Sequence, residues 1–246
     1  MTTLIFLLIL LVGWLVGIWV NHAGTVIPAK ETIWQPPYYR NSKVRKPVSA
    51  WSGITAYLSG TYRCPQTGQS IGIRPPLVEL SLAILFLFLS IRYSISIYFV
   101  FLLLYTTILA LLTVTDLEHR LIQNIIILPA LLIGVVGSFF SPNISWRQAL
   151  LGGALAFIIF YVLAILARGG LGSGDVTLSA FLGVIIGFPN IVFALTFGVL
   201  LGGIVSALLV IARVVTLKTF IPYGPFLIFT GWAVLIWGEE IRRYML

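Results

Sequence analysis

Apolar runs long enough to cross a lipid bilayer dominate this sequence. A membrane-spanning helix needs about 20 mostly apolar residues, and the chain contains several such runs with short polar breaks between them. Only 9% of its residues are charged and its mean hydropathy is +1.07, far from the balance of a soluble domain. We expect an all-α polytopic membrane protein with about eight transmembrane helices, at residues 3–20, 77–91, 95–115, 122–140, 148–167, 176–188, 190–212 and 222–238.

The distribution of basic residues predicts the orientation in the membrane. Cytoplasmic loops carry an excess of Lys and Arg. If residues 21–76 face the cytoplasm, eleven basic residues lie on that side and four on the other, so we expect the N-terminus outside. The net charge of +8 then reflects topology and contact with anionic membrane lipids, not nucleic-acid binding. The first run could instead be a cleaved signal peptide, but it lacks the preceding basic residues of such peptides.

The predicted organisation has three parts. Residues 1–20 form the first transmembrane helix, residues 21–76 a small irregular cytoplasmic subdomain, and residues 77–246 a seven-helix membrane domain. The subdomain shows no sustained helical period. Its aromatic side chains could pack together or lie at the level of the lipid headgroups; they are Trp34, Tyr38, Tyr39, Trp51, Tyr57 and Tyr62.

The only two aspartates of the chain are expected at one face of the membrane. Asp116 follows the third apolar run and Asp175 precedes the sixth, with two complete runs between them. An even number of crossings returns the chain to the same side, so both carboxylates emerge on the cytoplasmic side. Because a carboxylate at the end of an apolar helix is costly to desolvate, it usually faces water, a partner or a functional cavity.

Two neighbouring carboxylates can share one proton, since both cannot ionise side by side. One then acts as general base on a water molecule while the other donates to a substrate carbonyl, as in aspartic proteases. The structural alternative is helix capping. Asp175 could cap the sixth helix by accepting the N–H groups of Thr177 or Leu178, and Asp116 could cap the fourth in the same way. A transporter that uses both acids for proton or cation coupling is a further alternative.

A run of glycines precedes Asp175 in the stretch "RGGLGSGDVTL", residues 168–178. Glycine permits a positive φ and the close approach of another backbone, as required where an extended substrate lies along the chain. The same glycines could equally be a flexible break between two helices. They are Gly169, Gly170, Gly172 and Gly174.

Two segments, "TDLEHRLIQNIIILP" and "GGLGSGDVTLSAFLG", resemble the type IV prepilin peptidase family, membrane G-x-G-D aspartyl proteases with an Asp near the start of one helix and G-x-G-D before another. Further elements follow in order along most of the chain. "VGIWVNHAGTVIP" is similar to the family's Gly-x-x-x-Asn element, with Gly17, Asn21 and Pro28 in register. "GTYRCPQTGQSIGIRPPLVEL" resembles the end of its cytoplasmic domain, and "IPYGPFLIFTGW" its last helix.

The resemblance implies that Asp116 and Asp175 are the catalytic pair. It implies removal of a short basic leader, commonly after a Gly, from prepilin or pseudopilin precursors of a type IV pilus or type II secretion system. The enzyme would lie in the bacterial inner membrane with its active site facing the cytoplasm. Many members also N-methylate the new terminus with S-adenosyl-L-methionine. We assign four further residues to positioning the substrate or the backbone: Gly172, Gly174, Thr177 and Glu79.

Glu79 lies at the expected cytoplasmic start of the second helix, where the resemblance also finds an acid. It could bind the basic residues of a leader or help to form a cofactor site. It could equally pair with Arg74 or cap a helix.

Several positions depart from the family pattern. The family often has two C-x-x-C pairs, which form a tetrathiolate zinc site, whereas Cys64 is the only cysteine here and Thr67 stands at its partner's position. We therefore expect no zinc, and the methyltransferase activity, in which this loop is implicated, is left open. Gln123 replaces a usual Pro and Thr177 a usual Lys. Thr177 could weaken contact with substrate or headgroups. An inactive scaffold of a secretion or pilus assembly is thus one more alternative.

Overall fold

A computed structural model describes residues 2–40, 42–166, 172–214, 216 and 223–245. Over these residues the secondary structure is helical, with two isolated β-bridges, Tyr38 to Arg45 and Arg63 to Ser70. The α-helices are α1 (Thr2–Val26), α2 (Gly53–Leu58), α3 (Arg74–Arg92), α4 (Ile97–His119), α5 (Asn124–Ser138), α6 (Trp146–Leu166), α7 (Ser173–Ile186), α8 (Asn190–Ile211) and α9 (Gly224–Met245). A short 3₁₀ helix covers Val48–Ala50.

The expected all-α polytopic architecture is confirmed. In the part of the chain that the structure describes, five helices are long and apolar enough to cross a bilayer, namely α1, α3, α4, α6 and α8. Helices α5 and α7 are shorter and also apolar. Each of the eight predicted runs coincides with one helix. Because α1 continues to Val26 and α3 begins at Arg74, the segment between them is residues 27–73, shorter than expected. The chain divides into two compact units, Met1–Thr115 and Asp116–Leu246.

In the first unit, two glycines bring α1 close to α3. A Cβ at Gly13 would lie 2.8 Å from the Ala83 Cα, and one at Gly17 would lie 2.6 Å from the Glu79 Cα. Small residues four positions apart allow helix backbones to approach in a membrane. The pair α1–α3 is therefore held at a separation that larger side chains at these two positions would prevent.

Two turns of matching geometry, residues 39–44 and 64–69, shape the segment between α1 and α3. In each turn the N–H of the first residue donates to the carbonyl of the sixth, and the carbonyl of the first accepts from the N–H of the fifth, at 2.8–2.9 Å. The first residues, Tyr39 and Cys64, are buried in a small core with Ala50 and Ala56.

The fourth residues of the two turns are Ser42 and Thr67. The Ser42 Oγ lies 3.1 Å from the Cys64 Sγ in a hydrogen bond. Within the described part of the chain, no three His, Cys, Asp or Glu side chains gather as metal ligands would. A hydrogen-bonded apolar core therefore joins the two turns in this protein.

Helix α7 lies at the centre of the second unit. It contacts α5, α6, α8 and α9, and all its residues from Leu178 to Ile186 are buried. Gly152 of α6 and Gly183 of α7 face each other so closely that a Cβ on either would enter the other's backbone. The Ser179 Oγ also donates to the Ala156 carbonyl of α6 at 3.2 Å. Packing on several sides fixes α7, and with it the residues of its first turn.

Helix α5 has only 15 residues and two different faces. One face packs on α7, where Gly134 lies against Val184 and Ile185. The other face is an exposed apolar stripe at helical spacing, formed by Ile125, Leu128, Leu132 and Val136. Such a stripe is suited to contact with lipid.

Candidate active site

Asp116 lies inside the last turn of α4, which continues to His119. Arg120 has a left-handed conformation, with φ of 53°, and its N–H donates to the Asp116 carbonyl at 2.8 Å, a common way for a helix to end. We expected Asp116 to follow its helix and to lie near the start of the next helix, which it could cap. These expectations are therefore wrong. The N-cap of α5 is Gln123, without a capping side-chain hydrogen bond.

Asp175 is the third residue of α7, and its carboxylate caps the start of the helix. The N-cap is Gly172, whose N–H donates to the Asp175 Oδ2 at 3.2 Å. This is the acceptor half of a capping box, and a negative charge is favourable at a helix N-terminus. Asp175 therefore does cap its helix, as the capping alternative expected. It accepts the N–H of Gly172, however, and is not itself the N-cap residue.

Both carboxyl groups are buried, and the charge of one acts on the other. Asp116 is 5% exposed and Asp175 is 6% exposed, and the charge of Asp116 acts electrostatically on Asp175. Within the described residues, no donor meets the buried Asp116 Oδ2 at full hydrogen-bond geometry, although the Gly224 N–H interacts with this carboxyl group. Buried polar atoms nearly always have a partner in protein or water. A carboxyl oxygen without a full hydrogen bond beside a second carboxylate is therefore a place for a water molecule or a polar group of a substrate.

Two glycines and Ile122 bring the dyad together. A Cβ at Gly174 would lie 2.7 Å from the Ile122 Cβ. A Cβ at Gly224, the first residue of α9, would lie 2.5 Å from the Asp116 Oδ2 and 3.5 Å from the Ile122 Cδ1. The end of α4, the link to α5, the start of α7 and the start of α9 therefore meet at the two aspartates.

The glycines before Asp175 differ from the expectation in one respect. Gly172 has a φ of −72° and Gly174 is part of α7, so the prediction of a positive φ is wrong for these two. The close approach is present, but the neighbour is the chain's own Ile122. Gly169 and Gly170 lie outside the described residues. A part for Gly172 and Gly174 in substrate binding stays a prediction.

Tyr223 and Gly224 belong to the site and were missed by the sequence analysis. The Tyr223 hydroxyl donates to the Val199 carbonyl at 2.8 Å, and the charge of Asp175 acts on the phenol. Both residues lie in the "IPYGPF" motif, which was compared with the family's last helix but given no role. The parity argument could have found them, since two apolar runs separate Asp175 from this motif.

Thr177 serves the first turn of α7. It is half-buried, and its Oγ1 donates to the Gly174 carbonyl at 3.0 Å. The hydroxyl therefore supports the turn in which Gly174 faces Ile122. Its proposed effect on substrate or headgroup contact stays a prediction.

Glu79 is fully buried in the first unit, and donors surround its carboxylate. The Ser52 Oγ and the Gly53 N–H both donate at 2.6 Å. Weaker contacts at 3.2 to 3.4 Å come from the Ile54 N–H, the Trp14 Nε1 and the Asn21 Nδ2. Glu79 thus caps the N-terminus of α2, which favours the capping alternative. A role in binding a leader or a cofactor stays a prediction.

The Gly-x-x-x-Asn element reinforces this junction. The Asn21 Nδ2 donates to the Pro75 carbonyl at 2.9 Å, and Arg74 donates to the Asn21 carbonyl at 3.1 Å and to the Thr25 Oγ1 at 3.0 Å. Together with Gly17, these contacts join the end of α1 to the first turn of α3. The element therefore has a structural role in this chain.

Comparison with known proteins finds one family of similar sequences. Residues 103–207, which include both aspartates, match the model of the type IV leader peptidase family. A prepilin leader peptidase/N-methyltransferase of Pseudomonas putida is 29% identical over 79% of this chain and 70% of its own length. A protein of the same name from Bacillus subtilis (strain 168) is 28% identical over 94% of both chains. No solved structure gives a significant match.

These matches define the class of protein as a multi-pass membrane peptidase. Residues 103–207 carry the match to the type IV leader peptidase family, and the chain is similar to prepilin leader peptidases over most of its length.

Proposed function

We propose that this peptidase is an aspartic endopeptidase that removes the short basic leader from prepilin or pseudopilin precursors, with Asp116 and Asp175 as its catalytic pair. The observation that carries the proposal is the buried Asp116 carboxyl group, which lies near enough to Asp175 to act on it and whose Oδ2 lacks a full hydrogen bond. The names of the relatives support this substrate class.

The proposed chemistry is hydrolysis by a carboxyl pair that shares one proton. The ionised carboxylate takes a proton from a water molecule, whose oxygen attacks the scissile carbonyl carbon. The protonated carboxyl group donates its proton to the carbonyl oxygen. When the tetrahedral diol collapses, the C–N bond breaks and the leaving amine receives a proton from the pair. One diol hydroxyl returns a proton to the pair, which restores the shared proton. The reaction consumes one water molecule and needs no metal ion and no nucleophilic side chain.

The location follows from the charge distribution. The excess of Lys and Arg favours the cytoplasm for residues 21–76 and for both aspartates. A precursor anchored by its own apolar helix would present its leader at this membrane surface. We therefore place the cleavage at the cytoplasmic face of the bacterial inner membrane.

N-methylation of the new N-terminus is a second proposed activity, because the relatives are named as N-methyltransferases as well as peptidases. S-adenosyl-L-methionine would supply the methyl group. Ser52 and Gly53 already engage the Glu79 carboxylate, so a part for Glu79 in a cofactor site stays a prediction. We therefore assign no residue of this chain to the cofactor.

The test is leader removal in reconstituted membranes. The purified protein and a type IV prepilin with a basic leader ending in Gly are placed in the same vesicles, and cleavage is followed for wild type, Asp116→Asn and Asp175→Asn. We expect wild type to release the leader and both variants to lose cleavage. Mass spectrometry of the mature N-terminus detects methylation in the same samples.

Glu118→Gln is the matched control, since it removes a carboxylate two positions from Asp116 on the same helix end. This variant should cleave like wild type. A folded wild-type protein that cleaves no precursor would support the scaffold alternative. Full activity in either Asn variant would refute the assignment of the dyad.

A further inference from the structure

An exposed apolar patch lies on the segment between α1 and α3, away from any role given above. We name it the α2 patch; it consists of Ile54, Tyr57, Leu58, Ile73 and Pro76, which line one shallow apolar hollow. Leu58 is 84% exposed and Ile73 is 71% exposed. Contiguous exposed apolar residues of this kind usually mark an interaction surface.

The α2 patch continues the lipid-facing stripe of α3. Ile73 precedes α3 with helical dihedral angles, φ −81° and ψ −17°, so it keeps the register of the helix. The positions four, seven and eleven residues further on are Leu77, Leu80 and Ile84, all of them exposed. Residues at these intervals share one helix face. The surface by which α3 contacts lipid therefore extends beyond the end of the helix and into the patch.

The orientation of the patch relative to α3 is fixed by the Glu79 junction. The Glu79 carboxylate of α3 accepts the Ser52 Oγ and the Gly53 N–H at the start of α2, each at 2.6 Å. A Cβ at Gly53 would lie 2.5 Å from the Pro75 Cβ, so α2 lies directly against the first turn of α3. The patch therefore stays in line with the spanning helix.

Charge and aromatic content point to an anionic lipid surface as the occupant. Residues 27–73 contain six basic residues and one acidic residue, and each basic residue near an anionic leaflet favours binding. Tyr57 stacks on Tyr62 with ring centroids 4.8 Å apart, and Arg63 lies over the Tyr62 ring at 5.5 Å. Tyrosine side chains next to a cation are suited to the headgroup level of a membrane, because the ring faces the apolar interior and the hydroxyl faces water.

We propose that the α2 patch inserts into the headgroup region of an anionic bilayer and docks the segment between α1 and α3 on the membrane surface. This role goes beyond peptide cleavage. The patch acts as an interfacial anchor, with Leu58 and Ile73 reaching the acyl-chain boundary and the basic residues of the segment near the lipid phosphates.

The test uses a fluorescent reporter of local polarity. In a Cys64→Ser background, Leu58→Cys and the control Gln66→Cys are labelled with the nitrobenzoxadiazole fluorophore. The full chain is placed in nanodiscs of phosphatidylglycerol and phosphatidylethanolamine. Gln66 is an exposed residue of the turn at 64–69. We expect blue-shifted emission and strong quenching by lipids spin-labelled near the headgroup for position 58, and water-like emission for position 66.

Two results would overturn the proposal. One is water-like emission and equal quenching at both positions. The other is shielding of position 58 only after a prepilin is added, which would make the patch a peptide-binding surface. Hydrogen exchange of the unlabelled wild-type protein gives an independent measurement. The amides of α2 should be better protected in anionic nanodiscs than in phosphatidylcholine nanodiscs, and equal protection would also count against anchoring.

Discussion

Two buried carboxylate sites in this protein differ in how fully the protein satisfies them. In the first unit, side-chain and backbone donors from α1 and the start of α2 engage both oxygens of Glu79. In the second unit, the described residues give the buried Asp116 Oδ2 no full hydrogen bond, only the weaker contact of the Gly224 N–H with this carboxyl group. The Asp175 carboxylate accepts the Gly172 N–H.

This difference distinguishes a carboxylate that stabilises the fold from one that is available for catalysis. A buried carboxylate with several donors lowers the energy of one arrangement of the chain and resists any new ligand. A buried carboxyl oxygen without a partner raises the energy of the folded protein unless water or a substrate supplies the missing contact. Burial alone therefore does not identify a catalytic acid; the number of donors around it is the better guide.

The largest expected effect concerns the dyad. Asp116→Asn or Asp175→Asn should lower the rate of leader cleavage by roughly 10³-fold, because the amide neither accepts a proton from water nor shares one. Initial rates in reconstituted vesicles measure this effect. Glu79→Gln should lower the rate less than either change, and an equal loss in all three variants would remove the distinction between the two sites.

The next effect concerns stability. Glu79→Gln should lower the free energy of unfolding by about 1–3 kcal/mol, because charged acceptors are lost and buried donors are left poorly paired. Limited proteolysis within residues 27–73 and thermal unfolding in detergent measure it. Glu31→Gln is the control in the same segment. Glu31 pairs with Lys43 at 2.9 Å near the surface, so a smaller loss is expected.

A pair of glycine substitutions sharpens the same contrast. A Cβ at Gly224 would lie 2.5 Å from the Asp116 Oδ2, and one at Gly17 would lie 2.6 Å from the Glu79 Cα. Gly224→Ala should lower cleavage roughly 10- to 100-fold by displacing the carboxyl group. Gly17→Ala should instead destabilise the α1–α3 pair by about 1–3 kcal/mol through overpacking. Cleavage rates and melting temperatures of both variants would show whether the effects separate in this way.

The smallest effect concerns Cys64, a buried thiol of the first unit. Hydrogen bonds from Ser42 and Thr67 lower the pKa of the Cys64 thiol from 9.0 to about 7. Because the folded pKa is depressed, its contribution to stability is present above about pH 9 and is lost as the pH falls towards 7. Selective ¹³C labelling of the single cysteine should show a titration near pH 7. In Ser42→Ala the midpoint should move towards 9, and an unchanged midpoint would exclude this hydrogen bond as the main cause.

The positions of the helices could be predicted because hydropathy over about 20 residues is a strong local signal. The parity of the runs between Asp116 and Asp175 followed from it and tolerates errors of several residues. The end of α4 could not be placed as well. Polar residues begin at Asp116, but residues 115–120 contain no Gly or Pro that would end a helix. The helix therefore continues beyond the apolar run.

The parts of the sites that escaped prediction depend on contacts between distant residues. Ser52 and Trp14 reach Glu79 across 27 and 65 positions of the sequence, and Gly224 reaches Asp116 from the start of another helix. No local pattern encodes such pairs. The matching turns at 39–44 and 64–69 could not be recognised in the sequence either. Their first and fourth residues are Tyr39, Ser42, Cys64 and Thr67, so the two C-x-x-C pairs that would have marked them are reduced to one cysteine.

The shortness of α5 has a consequence for the surrounding lipid. At about 1.5 Å per residue, its 15 residues reach roughly 22 Å, less than the hydrocarbon core of about 30 Å. The exposed stripe of Ile125, Leu128, Leu132 and Val136 thus meets the bilayer with a hydrophobic mismatch, which a membrane relieves by thinning at a modest cost per ångström. The length of the lipid acyl chains therefore sets how large this mismatch is. A bilayer of shorter chains matches the length of α5 more closely.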